Sequence, residues 1–359
     1  MKKSIFLVKT PLQLLNAIEA KYYYNLNIDD CVLIVMGDRK NLPQLLKLAD
    51  AVDEWGKVLV LNNVNLFFGS PFKESNSFLS KLIIKSKIFN KSIYNVRRLN
   101  NVSHYLGEVK YIFLGYPRYV YMKHFANITP HEKIIALDDG NVTIELANER
   151  NKSLVIANNQ SIKQKLKMHG KKMIQRVSDK DLSELTFFTI YDISPGEHDN
   201  VEENKFTHLR SNVDLLPVSN EVYFLGGPVS EVGIISQESY LSYLKKVKAY
   251  FSSMEIVYIA HRRELPVNLD RIKNELGFKV VLFEYPIEYQ LAYIGPVPKV
   301  LASFFSSALD SCRVIFSDRL KIKSFMLDLT GSPMQAQIEP IYDNFQSNED
   351  DNFKVITDY

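Results

Sequence analysis

Short runs of consecutive apolar residues recur along the chain. Between them lie stretches in which apolar side chains return every three or four positions. An unbroken apolar run predicts a strand covered on both faces, and the longer period predicts amphipathic helices laid over the sheet. Over residues 1–155 strands are expected at 4–9, 31–36, 57–61, 109–114 and 133–137, with helical patterns between them. Residues 11–24 carry Leu12, Leu15, Ile18 and Ala20 on one helical face, and Pro11 suits the first turn.

The periodicity then fades. Residues 156–216 are rich in Asn, Lys, Gln and Asp and contain Ser194-Pro195-Gly196-Glu197-His198-Asp199-Asn200, so a linker region is expected there. A second alternation fills 217–335, with strands expected at 221–225, 255–260, 278–283, 299–304 and 312–316. A helix over 236–251 would stack Tyr240, Leu244, Val247 and Phe251 on one side. Residues 336–359 are expected to form a tail, acidic and partly mobile over 343–355. The sum is an α/β protein of two Rossmann-like domains facing a central cleft, one N-terminal and one C-terminal.

Composition agrees. The chain has 359 residues, 46% of them hydrophobic, which suits two domains with separate cores. The formal net charge of +3 implies no broad polyanion-binding surface, and no nucleic acid is expected as a partner. Cys31 and Cys312 lie in apolar runs and are expected as buried thiols, too few for a disulfide framework. The apolar run after Lys2-Lys3 stops at Lys9, too short for a signal peptide. No run reaches the ~18 apolar residues of a membrane span, so a cytoplasmic location is expected.

Candidate chemistry gathers just past strand ends, where open α/β sheets bind ligands. Asp138-Asp139-Gly140 follows the strand at 133–137. It is either a strand-to-turn corner or a general base whose pKa is raised by the adjacent carboxylate. His261-Arg262-Arg263-Glu264 follows 255–260. It is either a solvated basic turn or an anion site, with guanidiniums reading phosphate or carboxylate and the imidazole donating to a leaving phosphate. Ser306-Ser307 precedes Ala308 at an expected helix start, as a plain cap or a phosphate site. Gly226-Gly227-Pro228-Val229-Ser230-Glu231 follows 221–225, where the glycines either make a tight turn or admit a ligand, and Glu231 offers an acid or base. Tyr116, Tyr119 and Tyr121 follow 109–114 and offer ring faces to a sugar. A Walker loop, a Gly-x-Gly-x-x-Gly fingerprint, a serine nucleophile elbow and zinc-ligand spacing are all missing.

These residues resemble a family. An acidic pair before Gly, a His after a strand of the second domain and a Ser pair after a later strand match, in kind and order, the lipooligosaccharide-type bacterial sialyltransferases (glycosyltransferase family 52). The capsular polysialyltransferases are a more distant likeness. Thr10-Pro11-Leu12-Gln13, Leu225-Gly226-Gly227-Pro228 and Phe304-Phe305-Ser306-Ser307-Ala308-Leu309 are similar to further signatures of that family. Two positions depart. Arg262 stands where the family's His is followed by Pro, and Val229 stands near the position of an Asp that serves as base in that family, with Glu231 two residues on.

The resemblance implies a GT-B-like inverting sialyltransferase, moving sialic acid from CMP-sialic acid to a galactoside of a bacterial surface glycan such as lipopolysaccharide, O-antigen or capsule. The donor site would comprise Gly226, Gly227, His261, Arg262, Arg263, Glu264, Ser306 and Ser307. The acceptor side would include Thr10, Gln13 and Tyr116. The base stays open between Asp138 and Asp139, with Glu231 as rival. No cofactor and no metal are expected, because CMP carries a single phosphate. Other readings are a transferase for another CMP-activated acidic sugar (Kdo, legionaminic or pseudaminic acid), a nucleotide-sugar epimerase or hydrolase, and a non-catalytic glycan-binding protein. The mild positive charge is compatible with peripheral contact at the inner face of the cytoplasmic membrane. A homodimer stays open.

Overall fold

The computed structural model describes residues 2–38, 41–61, 93–152 and 176–359. The chain divides into two compact units, Met1–Asn204 and Lys205–Tyr359.

In the first unit β1 (Ser4–Val8), β2 (Cys31–Val35), β3 (Lys57–Val60), β4 (Val109–Leu114), β5 (His131–Leu137), β6 (Thr186–Thr189) and β7 (Asn200–Glu203) form one sheet. Their order is β3-β2-β1-β4-β5-β6-β7, and every pairing is parallel. β1 lies inside the sheet, with Ser4 opposite Cys31 on one side and Tyr111 on the other. All five of its residues are buried, which is why it reads as an unbroken apolar run. The flanking helices are α1 (Pro11–Tyr23), α2 (Leu42–Val52), α3 over 93–106, α4 (Val120–Ile128) and α5 (Asn141–Lys152).

The second unit repeats the plan. Its strands are β8 (Val218–Leu225), β9 (Ile256–Ile259), β10 (Lys279–Val281), β11 (Val297–Ser303), β12 (Lys321–Phe325) and β13 (Phe353–Ile356). They run parallel in the order β10-β9-β8-β11-β12-β13. Its longer helices are α6 (Gln237–Tyr250), α7 (Pro266–Leu276), α8 (Ala308–Phe316) and α9 (Gln335–Ser347). Two Rossmann-like α/β domains are therefore what the chain forms. In each sheet the strand order reverses once, between β1 and β4 and between β8 and β11. A crevice at the carboxyl ends of such a pair is where this topology places ligands.

Three expectations are corrected. The linker expected over 156–216 contains β6 and β7, so the first unit runs on to Asn204 (residues 153–175 lie outside the described residues). The strand expected at 312–316 is the second half of α8, whose buried Leu309, Cys312, Ile315 and Phe316 recur at helical spacing. The following strand is β12, Lys-Ile-Lys-Ser-Phe, where apolar and polar positions alternate in part. The expected tail is α9 and β13, fixed by the buried pair Phe345 and Phe353, whose rings meet edge to face at 5.4 Å. Among the described residues no helix is long and apolar enough to cross a membrane.

Candidate active site

In the first unit the polar residues past β1, β4 and β5 meet at the strand-order reversal. Thr10 caps α1: its backbone is extended, its hydroxyl accepts the Gln13 N–H, and Pro11 fills the first turn. The same hydroxyl donates to Oδ1 of Asp139 at 3.3 Å. Gln13, almost fully buried, accepts the Lys9 N–H at 2.7 Å and also hydrogen-bonds Asp139. Gly115, just past β4, leaves room for that amide, since a Cβ there would sit 2.3 Å from Gln13 Oε1.

The two carboxylates have different surroundings. Asp138 is buried, and its oxygens accept from Gly140 N–H, the Thr143 hydroxyl, the Thr189 hydroxyl and Ile190 N–H at 2.7–3.1 Å. Burial raises its pKa, and these four donors oppose the rise. Asp138 thus ties the ends of β5 and β6 to the start of α5. Gly140 takes φ +68° to close that turn, a conformation that favours glycine. Asp139 is half-buried and accepts side-chain hydrogen bonds from Thr10 and Gln13. Burial lifts its pKa to about 7 against the pull of Gln13; Asp138 adds to the rise, and Thr10 and the charge of Lys9 oppose it. Such a carboxylate can take up a proton near neutral pH.

Two further residues complete this group. The Lys9 ammonium lies 3.9 Å from the centroid of the Tyr119 ring and 5.9 Å from that of Tyr116. Tyr116 was expected on the acceptor side; Lys9 was not singled out from the sequence. Tyr121 is buried at 2% exposure and packs against Tyr119, so it offers no free face.

In the second unit the turn after β9 is held from beneath. Glu264 is buried and accepts from Tyr258 Oη at 2.5 Å and from the His261 N–H at 2.6 Å. Its own N–H donates to the His261 carbonyl, and Tyr240 Oη lies 2.8 Å from Tyr258 Oη. Burial raises the Glu264 pKa to about 7 against the hydrogen bonds from Tyr258 and His261. Glu264 therefore grips the His261 backbone rather than reaching a donor. The His261 Nδ1 accepts the Arg263 N–H at 3.2 Å, which leaves Nε2 carrying the proton in the neutral ring. Arg262 is half-buried and Arg263 exposed.

The glycines after β8 differ. A Cβ on Gly226 would lie 2.3 Å from Tyr258 Oη and 2.7 Å from Glu264 Oε2, so packing inside the unit requires that glycine. A Cβ on Gly227 would meet only Val229 Cγ2 at 3.6 Å. Glu231 accepts from Leu265 N–H, Asn268 Nδ2 and Ser230 Oγ. Burial works to raise its pKa, but these donors win and hold it below its ordinary value. Ser306 Oγ accepts the Ala308 N–H at 3.3 Å, whereas Ser307, at the start of α8, makes no side-chain capping bond. Gly226, Gly227, His261, Ser306 and Ser307 thus follow the carboxyl ends of three neighbouring interior strands, β9, β8 and β11. Among the described residues no group of three or more His, Cys, Asp or Glu could hold a metal ion.

No family model matches the chain, and no curated protein does. It is similar to several solved structures. Os79 from O. sativa in complex with UDP has 9% identity and a TM-score of 0.49, over 96% of this chain and 84% of that one. Arabidopsis thaliana UGT89C1 complexed with quercetin has 11% identity and a TM-score of 0.49, over 96% and 84%. A UDP-N-acetylglucosamine 2-epimerase has 11% identity and a TM-score of 0.45, over 94% and 82%. These are likenesses of chain path. No activity passes to this chain from them.

Proposed function

We propose that the protein is a GT-B-like inverting sialyltransferase that moves sialic acid from CMP-sialic acid to a galactoside hydroxyl of a surface glycan. The observation that carries the reading is Asp139, half-buried at the strand-order reversal of the first sheet, with a pKa of about 7. A carboxylate in that range takes the hydroxyl proton most effectively near neutral pH. Asp138 is committed to four donors and Glu231 is held acidic by three, so Asp139 is preferred to both.

Asp139 removes the acceptor proton as the oxygen attacks the anomeric carbon. The bond to the CMP phosphate breaks on the opposite face, and configuration inverts. The His261 Nε2–H and the Ser307 hydroxyl hydrogen-bond the phosphate as negative charge gathers on it. Glu264 holds His261 in place, and Arg262 or Arg263 pairs with the sialyl carboxylate. Thr10, Gln13 and Tyr116 line the acceptor side. The order of the sequence motifs supports the donor assignment.

The test is CMP release from CMP-sialic acid with and without a labelled β-galactoside, in excess EDTA. Acceptor-dependent release with a sialylated product is expected. Release at full rate without acceptor would make the protein a hydrolase or epimerase. Sugar binding with no product, unchanged when Asp139 and His261 are both replaced by Ala, would make it a glycan-binding protein. If CMP-sialic acid is inert while CMP-Kdo, CMP-legionaminic or CMP-pseudaminic acid is turned over, the donor assignment moves to that sugar.

A further inference from the structure

A lysine at the end of a parallel strand ordinarily extends into solvent, where its four-carbon stem keeps its rotamer freedom. Lys9 does not. It follows β1 directly, half-buried, and its ammonium is seated on the Tyr119 ring at 3.9 Å, with Tyr116 at 5.9 Å. The next residue, Thr10, donates to Asp139, and the Lys9 N–H is held by Gln13, which also bonds Asp139. The ammonium is attracted by two carboxylates, Asp139 past β5 and Asp38 past β2. The cage fixes where the ammonium stands; burial lowers its pKa, and the two carboxylates oppose that fall.

We propose that Lys9, caged by Tyr119 and Tyr116, is a positioning residue that keeps Asp139 ionised for its work as base. This deepens the reading of Asp139 given above and rests on it. Asp139 is half-buried and sits next to Asp138, and both conditions favour the protonated acid, which cannot serve as a base. A bound acceptor would strip more water from it and push further the same way. Among the described residues, Lys9, just past β1, is the one cation acting on it; Asp138 on its own turn opposes ionisation, and Thr10 at the cap of α1 and Gln13 within it support ionisation by hydrogen bonds. Asp38 acts on Lys9 and competes for the same positive charge. A caged ammonium supplies a counter-charge through space, in addition to the hydrogen bonds that the carboxylate accepts from Thr10 and Gln13.

The experiment is a carboxyl-carbon NMR titration of the full chain labelled with [4-13C]aspartate, with the Asp139 resonance assigned by its loss in Asp139→Asn. In the unaltered chain the resonance should titrate near pH 7. Lys9→Met should move the midpoint up, because an opposing charge that favours the ionised form is lost. Lys9→Arg, which keeps the charge, should leave it in place. Circular dichroism verifies folding. If Lys9→Met does not fold, Tyr119→Leu, which opens the cage, should move the midpoint in the same direction. A midpoint that stays put in the folded charge- or cage-removing variant overturns the proposal. Transfer assays on Asp139→Asn separate the two ideas. An active Asp139→Asn removes the base and leaves the charge coupling standing, whereas an inactive one with an unmoved midpoint removes only the role of Lys9.

Discussion

Gly226 and Gly227 are neighbours in sequence, neither has a positive φ, and yet alanine should be received very differently at the two. At Gly226 the new Cβ would lie 2.3 Å from Oη and 2.5 Å from Cζ of Tyr258, and 2.7 Å from Oε2 of Glu264. Ordinary carbon contacts lie at about 3.5–4.0 Å, so something must move by roughly an ångström. Tyr258 has no exposed surface, and its hydroxyl is bonded to both Tyr240 and Glu264, so it cannot retreat without breaking those bonds. Overpacking costs about 1–3 kcal/mol, and a buried polar group left unpaired a further ~1–3 kcal/mol. Against this stands a gain of ~0.4–1 kcal/mol from the stiffer unfolded chain. The net loss for Gly226→Ala is about 3 kcal/mol. In a unit of this size that lowers the melting temperature by roughly 6–12 °C. Gly227→Ala meets only Val229 Cγ2 at 3.6 Å and keeps the entropic gain, so it should be neutral or slightly stabilising. Calorimetry and urea unfolding of the two variants make the comparison. Equal shifts would refute the assignment of Gly226 to internal packing, and a greater loss at Gly227 would reverse it.

Three other outcomes are expected. Asp138→Asn should cost about 1–3 kcal/mol in urea unfolding, because an amide donor would face groups that themselves donate, whereas Asp139→Asn should unfold near wild type and lose transfer. Glu264 has a folded pKa of about 7 against an ordinary 4.5, so the native state holds its proton more tightly and stability falls as pH rises through that window. Its share of the fall should be on the order of 3 kcal/mol, seen as a drop in unfolding free energy of the second unit between acid and alkaline buffer that Glu264→Gln reduces. His261→Ala should lower turnover by roughly 10²–10³-fold through loss of one phosphate donor, while Glu231→Gln, whose oxygens are occupied by the start of α7, should leave turnover near wild type.

The sequence was most legible where burial is two-sided. β2, nearly all of β1 and the second half of β4 are apolar runs because parallel strands between helix layers have no wet face. β7 was missed because it is an edge strand, Asn-Val-Glu-Glu, mostly exposed, so its pairing leaves no apolar signature. The end of α8 was read as a strand because Cys312–Phe316 is short and apolar, a pattern shared by both elements. At the site, the strand-end rule found Asp138 and Asp139 but could not divide their roles. That division depends on Thr189 and Ile190, which come from a strand the sequence concealed. Lys9 escaped because a lone lysine carries no pattern, and the rings that cage it lie far downstream.

Asn204, the last residue of the first unit, donates from its side chain to Asn16 on α1 at 2.7 Å, and Asn16 in turn donates to the Asp138 carbonyl at 3.1 Å. All three residues are buried. The interior polar pairing beneath Asp139 therefore joins the beginning, middle and end of the unit. On a ribosome, the growing chain can collapse its early strands, but the Asn16 side-chain oxygen does not gain its Asn204 donor until that residue has left the exit tunnel. Completion of the first unit thus waits for the whole of it to be synthesised, and a truncation short of β7 leaves it open at the centre rather than frayed at the edge.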